Sequence, residues 1–315
     1  MADPGSRCLL AISCRAVKDG FTDVGCEAVT NSTPIRPYKI GLPQWHHDKW
    51  YAPDHRKDDS LSAYSKHFSS VEGNNTFYGL PSELTIKQWA LQTPDDYQFC
   101  FKFPRSISHS GQLLACEYLA KEFLERIAPL EHRIGIVWLQ LSQEFSPAQL
   151  SSLSTFLARL PKHLKYGVEV RNKHFFNKGQ DEKTLNQILI QHQANRVIFD
   201  TRCLFANYAD DPDTIAAFND KPKVPTHVIA TADNPLVRFM GPHDPALSYQ
   251  ALLPWVNKTL QWVDEGKTPY LFFHTPGNEH APELARWFSE QIHQQRPEIP
   301  AITLWNRQPK QTELW

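Results

Sequence analysis

Three carboxylates, Glu72, Glu169 and Asp200, and four cations, Lys102, Arg171, Arg202 and Arg238, stand inside or directly behind short apolar runs. Ionisable groups in such places are costly to bury unless they are paired or do chemistry. Cations converging on one point suit a phosphate or carboxylate, and carboxylates beside them supply acid–base capacity. The expected catalytic set is Glu72, Lys102, Glu169 and Asp200, with Glu72 or Glu169 as the base and Asp200 assisting. Asn74, Tyr78, Arg105, His109, Gln140, Arg171 and Arg238 are the expected substrate-binding residues, Lys102 joining Arg171 and Arg238 around the anion. The competing reading is a self-satisfied ion network, since structural clusters also gather charge.

Other chemistries find less support. No GxSxG elbow is present, and no cysteine stands in a Cys–His context. Glu72 and Glu169 alone would suit a glycosidase, but the cations around them fit an anion better than a neutral sugar. His109, Glu169, His174, Asp200 and His274 are ligand types for Zn²⁺ or Mn²⁺. No HExxH or compact HxH spacing supports such a site, so metal and cofactor are left unassigned.

What must position these residues is a series of eight apolar runs, 38–42, 69–74, 97–103, 134–141, 166–170, 196–200, 235–241 and 269–274, each read as a strand. Helical patterns fill most gaps. Ser82 can cap 83–92, and 117–127 sets Leu119, Phe123 and Ile127 on one face. Ser146 and Pro147 open a helix striped by Leu150, Leu153, Leu157 and Leu160. Further helices are expected over 184–192, over 249–266 (ending at Gly266) and over 281–292. Strands alternating with helices predict parallel βαβ units, and eight of them predict a single (β/α)₈ TIM-like barrel. An open doubly wound sheet is disfavoured, because no GxGxxG follows the first run and no GxxxxGK[ST] occurs.

In such a barrel the active site lies at the C-terminal strand ends, where the residues singled out above fall. Alternation puts Glu72 and Asn74 on one side of the second strand, both pointing inward, with Asn75 facing away. Phe77 and Tyr78 then line a loop as a collar. Between the sixth and seventh strands, Thr201 to Asn234 reads as a long loop with a short helix at "DTIAAF". Its length suits a lid or binding loop, or a plain insertion.

With 41% hydrophobic and 12% aromatic residues, the 315-residue chain can bury a full core. Lys+Arg at 33 against Asp+Glu at 34 predicts no global attraction to nucleic acid or membrane. No apolar run approaches the ~20 residues of a membrane span. The apolar stretch "CLLAI" is shorter than a signal-peptide core, and the six cysteines lack CxxC spacing, which suits a reducing, cytoplasmic setting. Residues 1–36 read as an unstructured N-terminal extension and 37–315 as the barrel domain.

The blocks "VEGNNTFYGLPS", "TPDDYQFCFKFPRSISH", "IGIVWLQLSQEF", "YGVEVRNKHFF", "VIFD", "LVRFMG" and "YLFFHTPGN", in this order, resemble the YecE-like proteins, the domain of unknown function 72. The resemblance runs from about Ile40 to about Trp287 and implies a TIM-like barrel, with no established reaction. It places Glu72, Asn74, Thr76, Phe77 and Tyr78 on the second-strand motif, and Lys102, Pro104, Arg105 and His109 on the third. Gln140 falls on the fourth, Glu169, Arg171 and Phe176 on the fifth, Asp200 on the sixth, and Arg238 and Gly241 on the seventh. The chain departs from many members at Asn75, Met240, His274 and the first loop "LPQW". By analogy of fold alone, the barrel is also similar to the xylose isomerase and endonuclease IV group, in which metals occur and some members act on DNA.

The leading expectation is a cytosolic TIM-barrel enzyme acting on an anionic, phosphate-containing substrate. The alternatives are a metal-dependent nucleic-acid-binding or repair barrel and a non-catalytic metabolite-binding protein. A small anionic ligand is the expected partner. Nucleic acid lacks support from the net charge, no membrane is implied, and no pattern encodes the oligomeric state.

Overall fold

The computed structural model describes residues 36–52 and 55–305. Residues 1–35 of the expected extension, including Cys8, Cys14 and Cys26, lie outside the described residues. Arg36, the last residue of that expected extension, is tied down: its guanidinium donates to the Pro300 and Ala301 carbonyls at 2.8 and 2.9 Å.

Eight strands follow the apolar runs: β1 (Lys39–Gly41), β2 (Ser70–Gly73), β3 (Gln98–Lys102), β4 (Ile134–Gln140), β5 (Lys165–Glu169), β6 (Ala194–Asp200), β7 (Leu236–Met240) and β8 (Tyr270–His274). They pair in parallel in the order β1-β8-β7-β6-β5-β4-β3-β2. The remaining seam, between β1 and β2, closes without a regular ladder. Glu72 N–H donates to the Leu42 carbonyl at 3.0 Å. The Tyr64 hydroxyl accepts from Leu42 N–H (2.7 Å) and donates to the Ser70 carbonyl (2.9 Å), standing in for a strand–strand bond. A Cβ on Gly41 would lie 2.1 Å from the Ser70 carbonyl oxygen, so the approach requires glycine. The result is a nearly closed (β/α)₈ barrel.

Strands buried on both faces divide their side chains between two cores. Cys100, Ile136, Trp138, Val197, Leu236, Tyr270 and Phe272 fill the barrel interior. Their neighbours Phe99, Phe101, Val137, Leu139, Ile198, Val237, Leu271 and Phe273 point outward into the larger core beneath the helices. Those helices span Glu83–Gln92, Glu117–Ile127, Leu150–Arg159, Gln180–Gln191, Tyr249–Asp264 and Ala281–Gln295. Ser82 caps the first, its Oγ accepting from Thr85 N–H at 3.1 Å, and Ser146 forms a capping box with Gln149 ahead of the third. Gly266, at φ +77°, ends the helix Tyr249–Asp264 as anticipated. No helix among the described residues is long and apolar enough to cross a membrane.

The loops differ from expectation at the C-terminal face. β2 stops at Gly73, and Asn74 already has helical dihedrals (φ −66°, ψ −22°), opening a single turn over Asn75–Tyr78. Similar short helices occupy Arg105–Ser108 and Arg202–Ala206. One turn carries no periodicity to read. In the long link the short helix is present as Pro212–Asp220, capped by Asp211, which accepts from Thr214 N–H at 2.9 Å.

Candidate functional site

The top layer of the barrel interior is charged. Glu72 from β2, Lys102 from β3, Glu169 from β5, Arg238 from β7 and His274 from β8 are all buried there, and Glu72 is 0% exposed. Arg238 donates through Nε and NH2 to Glu72 Oε2 and Oε1 (2.9 and 2.8 Å) and through NH1 to Glu169 Oε2 (2.8 Å). Lys102 Nζ lies 3.1 Å from Glu72 Oε1, and His274 Nε2 lies 2.9 Å from Glu72 Oε2. Each Glu72 oxygen thus takes two donors, which fills its lone-pair directions. Arg171, just past β5, grips Glu169 Oε1 with Nε and NH2 (3.1 and 3.0 Å). Aromatic faces flank the cations: Phe199 lies 4.1 Å from the Arg238 guanidinium, and Trp138 lies 5.5 Å from Lys102 Nζ.

Proton affinities follow from this packing. Burial pushes the Glu72 carboxyl up, but Arg238, Lys102 and His274 outweigh it and hold the group well below the usual carboxylate range. The balance at Glu169 is the same, with Arg238, Arg171 and Lys102 overcoming burial. Burial and then the neighbouring Arg238 lower the Lys102 ammonium to about 8, against the pull of Glu72 and Glu169. Burial lowers His274 to about 4, although Glu72 opposes it. At neutral pH both carboxylates are therefore ionised and His274 is neutral. An ionised carboxylate only accepts, so the His274 proton sits on Nε2 and its Nδ1 is bare.

The other expected site residues are dispersed. Gln140 is buried at the end of β4, in register with Glu169. Asn74 does not point inward with Glu72: its Nδ2 donates to the Pro43 carbonyl at 2.9 Å, across to the first loop. The early end of β2 explains this, because alternation no longer applies to Asn74. Tyr78 is 83% exposed and packs edge-on against Phe77, so it stands out on the rim instead of closing a collar. His109 is half-buried with its ring 5.3 Å from that of Phe77, while Arg105 is exposed beside it. Burial, then Arg105 and Arg171, lower the His109 pKa.

Asp200 is placed apart from the cluster. The alternation that turns Val197 and Phe199 into the barrel turns Ile198 and Asp200 toward the helices. Its oxygens accept from Arg202 Nε and NH2 (2.9 and 2.8 Å), Thr226 Oγ1 (3.1 Å) and Trp255 Nε1 (2.8 Å). Asp200 thereby ties β6 to the long link and to the helix Tyr249–Asp264, and Arg202 is taken up as its partner.

The five metal-ligand types do not converge either. Glu169 and His274 face the interior, His109 sits on the rim, Asp200 faces the helices, and His174 pairs with Asp181 on the outer surface. Among the described residues no three His, Cys, Asp or Glu side chains are grouped to hold a metal ion.

Two participants escaped sequence reasoning. Lys221, from the long link, is half-buried, and its side chain has no hydrogen-bond or ion-pair partner among the described residues. Burial and then the charge of Arg238 lower its pKa, with Glu72 and Asp220 opposing, so it lies within electrostatic range of the cluster. His274 belonged only to a candidate metal set, yet its bond to Glu72 puts it inside the ion network. Next to the network a polar cleft of ≈ 580 Å³ runs between the first βα loop and the helix Glu83–Gln92, with Glu72 and Asn74 among its lining residues.

Comparisons with known proteins agree with this architecture. The family described as "Protein of unknown function DUF72" matches residues 39–312. The chain is 46% identical over 263 residues to the UPF0759 protein YecE of Escherichia coli K12, covering 84% of this chain and 95% of that one. It is 26% identical over 214 residues to the UPF0759 protein YunF of Bacillus subtilis, covering 64% and 69% respectively. A DUF72 family protein from Enterococcus faecalis V583 superposes with a TM-score of 0.62 at 19% identity, covering 86% of this chain and 99% of that one. Another from Thermotoga maritima MSB8 gives 0.57 at 19% identity, covering 82% and 98%. At those identities the two structures speak for the fold alone. With the family matching nearly all of the described chain, this protein belongs to the DUF72 family, alongside the UPF0759 proteins.

Proposed function

We propose that the C-terminal mouth of the barrel binds a small anionic, phosphate-bearing molecule and exchanges a proton with it. The observation that carries this reading is a charge imbalance. Lys102, Arg171, Lys221 and Arg238 stand against two buried carboxylates, Glu72 and Glu169; Asp220, next to Lys221 in the chain, is exposed and forms no ion pair with it among the described residues. A multiply charged anion supplies the missing counter-charge, and the guanidinium hydrogens of Arg171 that Glu169 does not use suit phosphate oxygens.

The acid–base work falls to a different group from the one first expected. Glu72 is held ionised with its acceptor sites filled, which suits it to fixing Arg238, Lys102 and His274 in place. Glu169 does the same for Arg171 and Arg238. Lys102, lowered to about 8, is the group able to give and recover a proton near neutral pH. A reducing, cytoplasmic setting suits the buried free thiols Cys100, Cys116 and Cys203.

Phosphate titration tests the reading. Inorganic phosphate is expected to raise the unfolding temperature in a concentration-dependent way. Lys221→Ala, which removes a cation without stranding a carboxylate, is expected to weaken phosphate about tenfold. If phosphate, sulfate and sugar phosphates all leave the unfolding temperature unchanged at millimolar concentration, the mouth is not an anion site.

A further inference from the structure

The ≈ 580 Å³ cleft beside the ion network has a wall chemistry unlike that of the mouth. Three of its amides are pinned by their N–H groups. Gln44 Nε2 donates to the His46 carbonyl (2.8 Å), Asn74 Nδ2 to the Pro43 carbonyl (2.9 Å) and Gln92 Nε2 to the Asp58 carbonyl (2.7 Å). A backbone carbonyl only accepts, so the nitrogen must be the contacting atom in each case, and the amide orientation follows. The three amide oxygens are then left without a partner among the described residues. The lining also holds Lys57 and Asp58, one charge of each sign, so the fixed, unpaired acceptors set the preference, for a ligand that brings donors over an ionised phosphate, which has none. Trp45 and Trp89, ring centroids 5.4 Å apart at 78°, add apolar surface of the kind that packs against the C–H face of a carbon skeleton. The volume lies within the usual range for small-molecule sites.

We infer that this cleft takes the polyhydroxylated carbon chain of the ligand, which makes the ligand a sugar phosphate or polyol phosphate. Its hydroxyls donate to the amide oxygens of Gln44, Asn74 and Gln92, and its anionic end reaches the cations arranged around Glu72. This rests on the reading of the mouth as an anion site, and it assigns the neutral part of the molecule to separate residues.

Calorimetric titration of the purified protein with butyl phosphate, with triose, pentose and hexose phosphates, and with the corresponding free sugars separates the two readings. At least one sugar phosphate is expected to bind about tenfold or more tightly than butyl phosphate, which carries the same charge but no hydroxyl donors. Gln92→Leu should shrink that advantage, and Gln92→Glu, which keeps acceptor oxygens while losing the donor, should restore it; the advantage is a ratio within one variant, so the repulsion that the added charge exerts on both phosphates cancels. A purely structural role for Gln92, holding the Asp58 carbonyl, predicts loss of the advantage in both and overturns the inference. Butyl phosphate binding as tightly as every sugar phosphate also overturns it, and leaves the anion reading standing. Free sugars binding as tightly as their phosphates would uphold the cleft and remove the anion reading. Binding of neither class removes both.

Discussion

Arg238 on β7 and Glu72 on β2, 166 positions apart in the chain, face each other in a two-pronged ion pair, Nε to Oε2 at 2.9 Å and NH2 to Oε1 at 2.8 Å. These strands are not neighbours in the sheet, so the pair spans the barrel interior instead of a strand–strand contact. With Glu169 on the third point of Arg238, the layer ties β2, β5 and β7 together above the apolar filling. A buried network of this kind need not add much net stability, but each member depends on the others.

Glu72→Ala therefore leaves the Arg238 and Lys102 charges buried without their main partner. The expected cost is about 3–5 kcal/mol, the range for breaking a buried pair from one side. Replacing Glu72, Lys102 and Arg238 together by apolar residues should recover part of it, since Glu169, the carboxylate left behind, loses Arg238 but keeps both bonds to Arg171. Urea unfolding of both variants checks this, and a single variant as stable as the parent would show that the pair is not structurally coupled.

The eight strands were legible because each is an apolar run bounded by loop residues, and their count alone implied a barrel. Less legible was where each side chain points once a strand ends. Alternation predicts Asn74 on the inward face, but the backbone turns helical at that residue. Its place at the end of β6 predicts Asp200 in the mouth. In a strand buried on both faces the inward and outward residues look alike, so only the three-dimensional layers separate Phe199 from Asp200. Lys221 gave no signal, because its position is set by the path of an aperiodic link. The site's ion pairs cross the barrel, and no local spacing encodes them.

The β1–β2 seam makes a second stability prediction. A methyl group at Gly41 would lie 2.1 Å from the Ser70 carbonyl oxygen, and the obstacle is backbone that cannot swing aside. Gly41→Ala should push the two strands apart and cost roughly 1–3 kcal/mol or more, the overpacking range. Phosphate affinity should fall with it, since Glu72 N–H bonds the Leu42 carbonyl across the same seam. Thermal unfolding and phosphate titration of the variant measure both effects. An unfolding temperature equal to the parent's would mean that the seam opens without cost.

His274 should impose a pH dependence on stability. Burial holds it at about 4, whereas its ordinary value is 6.5. Between these values the unfolded chain binds a proton that the folded chain does not, so stability rises with pH across that window. The span corresponds to on the order of 3 kcal/mol, lost as pH falls from about 6.5 to about 4. Glu72 adds a loss of the same sign at lower pH, because its folded value is depressed. His274→Gln, whose amide can still donate to Glu72, should flatten the upper part of this profile. Denaturant unfolding at pH 4.5 and at pH 7 provides the comparison, and an unchanged difference in the variant would assign the dependence to other groups.

Lys102 should show itself in anion binding. Its ammonium form is lost above about 8, while Arg238, which burial lowers but Glu72 and Glu169 raise by more, keeps its charge. Sulfate is the suitable probe, because its own charge does not change over this interval as that of phosphate does near neutrality. Sulfate affinity should be level from pH 6.5 to pH 7.5 and then fall by about tenfold toward pH 9.5. Lys102→Met keeps Arg238 and His274 on Glu72, so the fold should survive, with weaker sulfate binding at neutral pH and no step centred near 8. Lys221, also lowered by burial and by Arg238, leaves a residual decline that Lys221→Ala should remove. A step near 8 that persists in Lys102→Met would take the titrating role away from Lys102 and, with it, the assignment of Lys102 as the proton carrier.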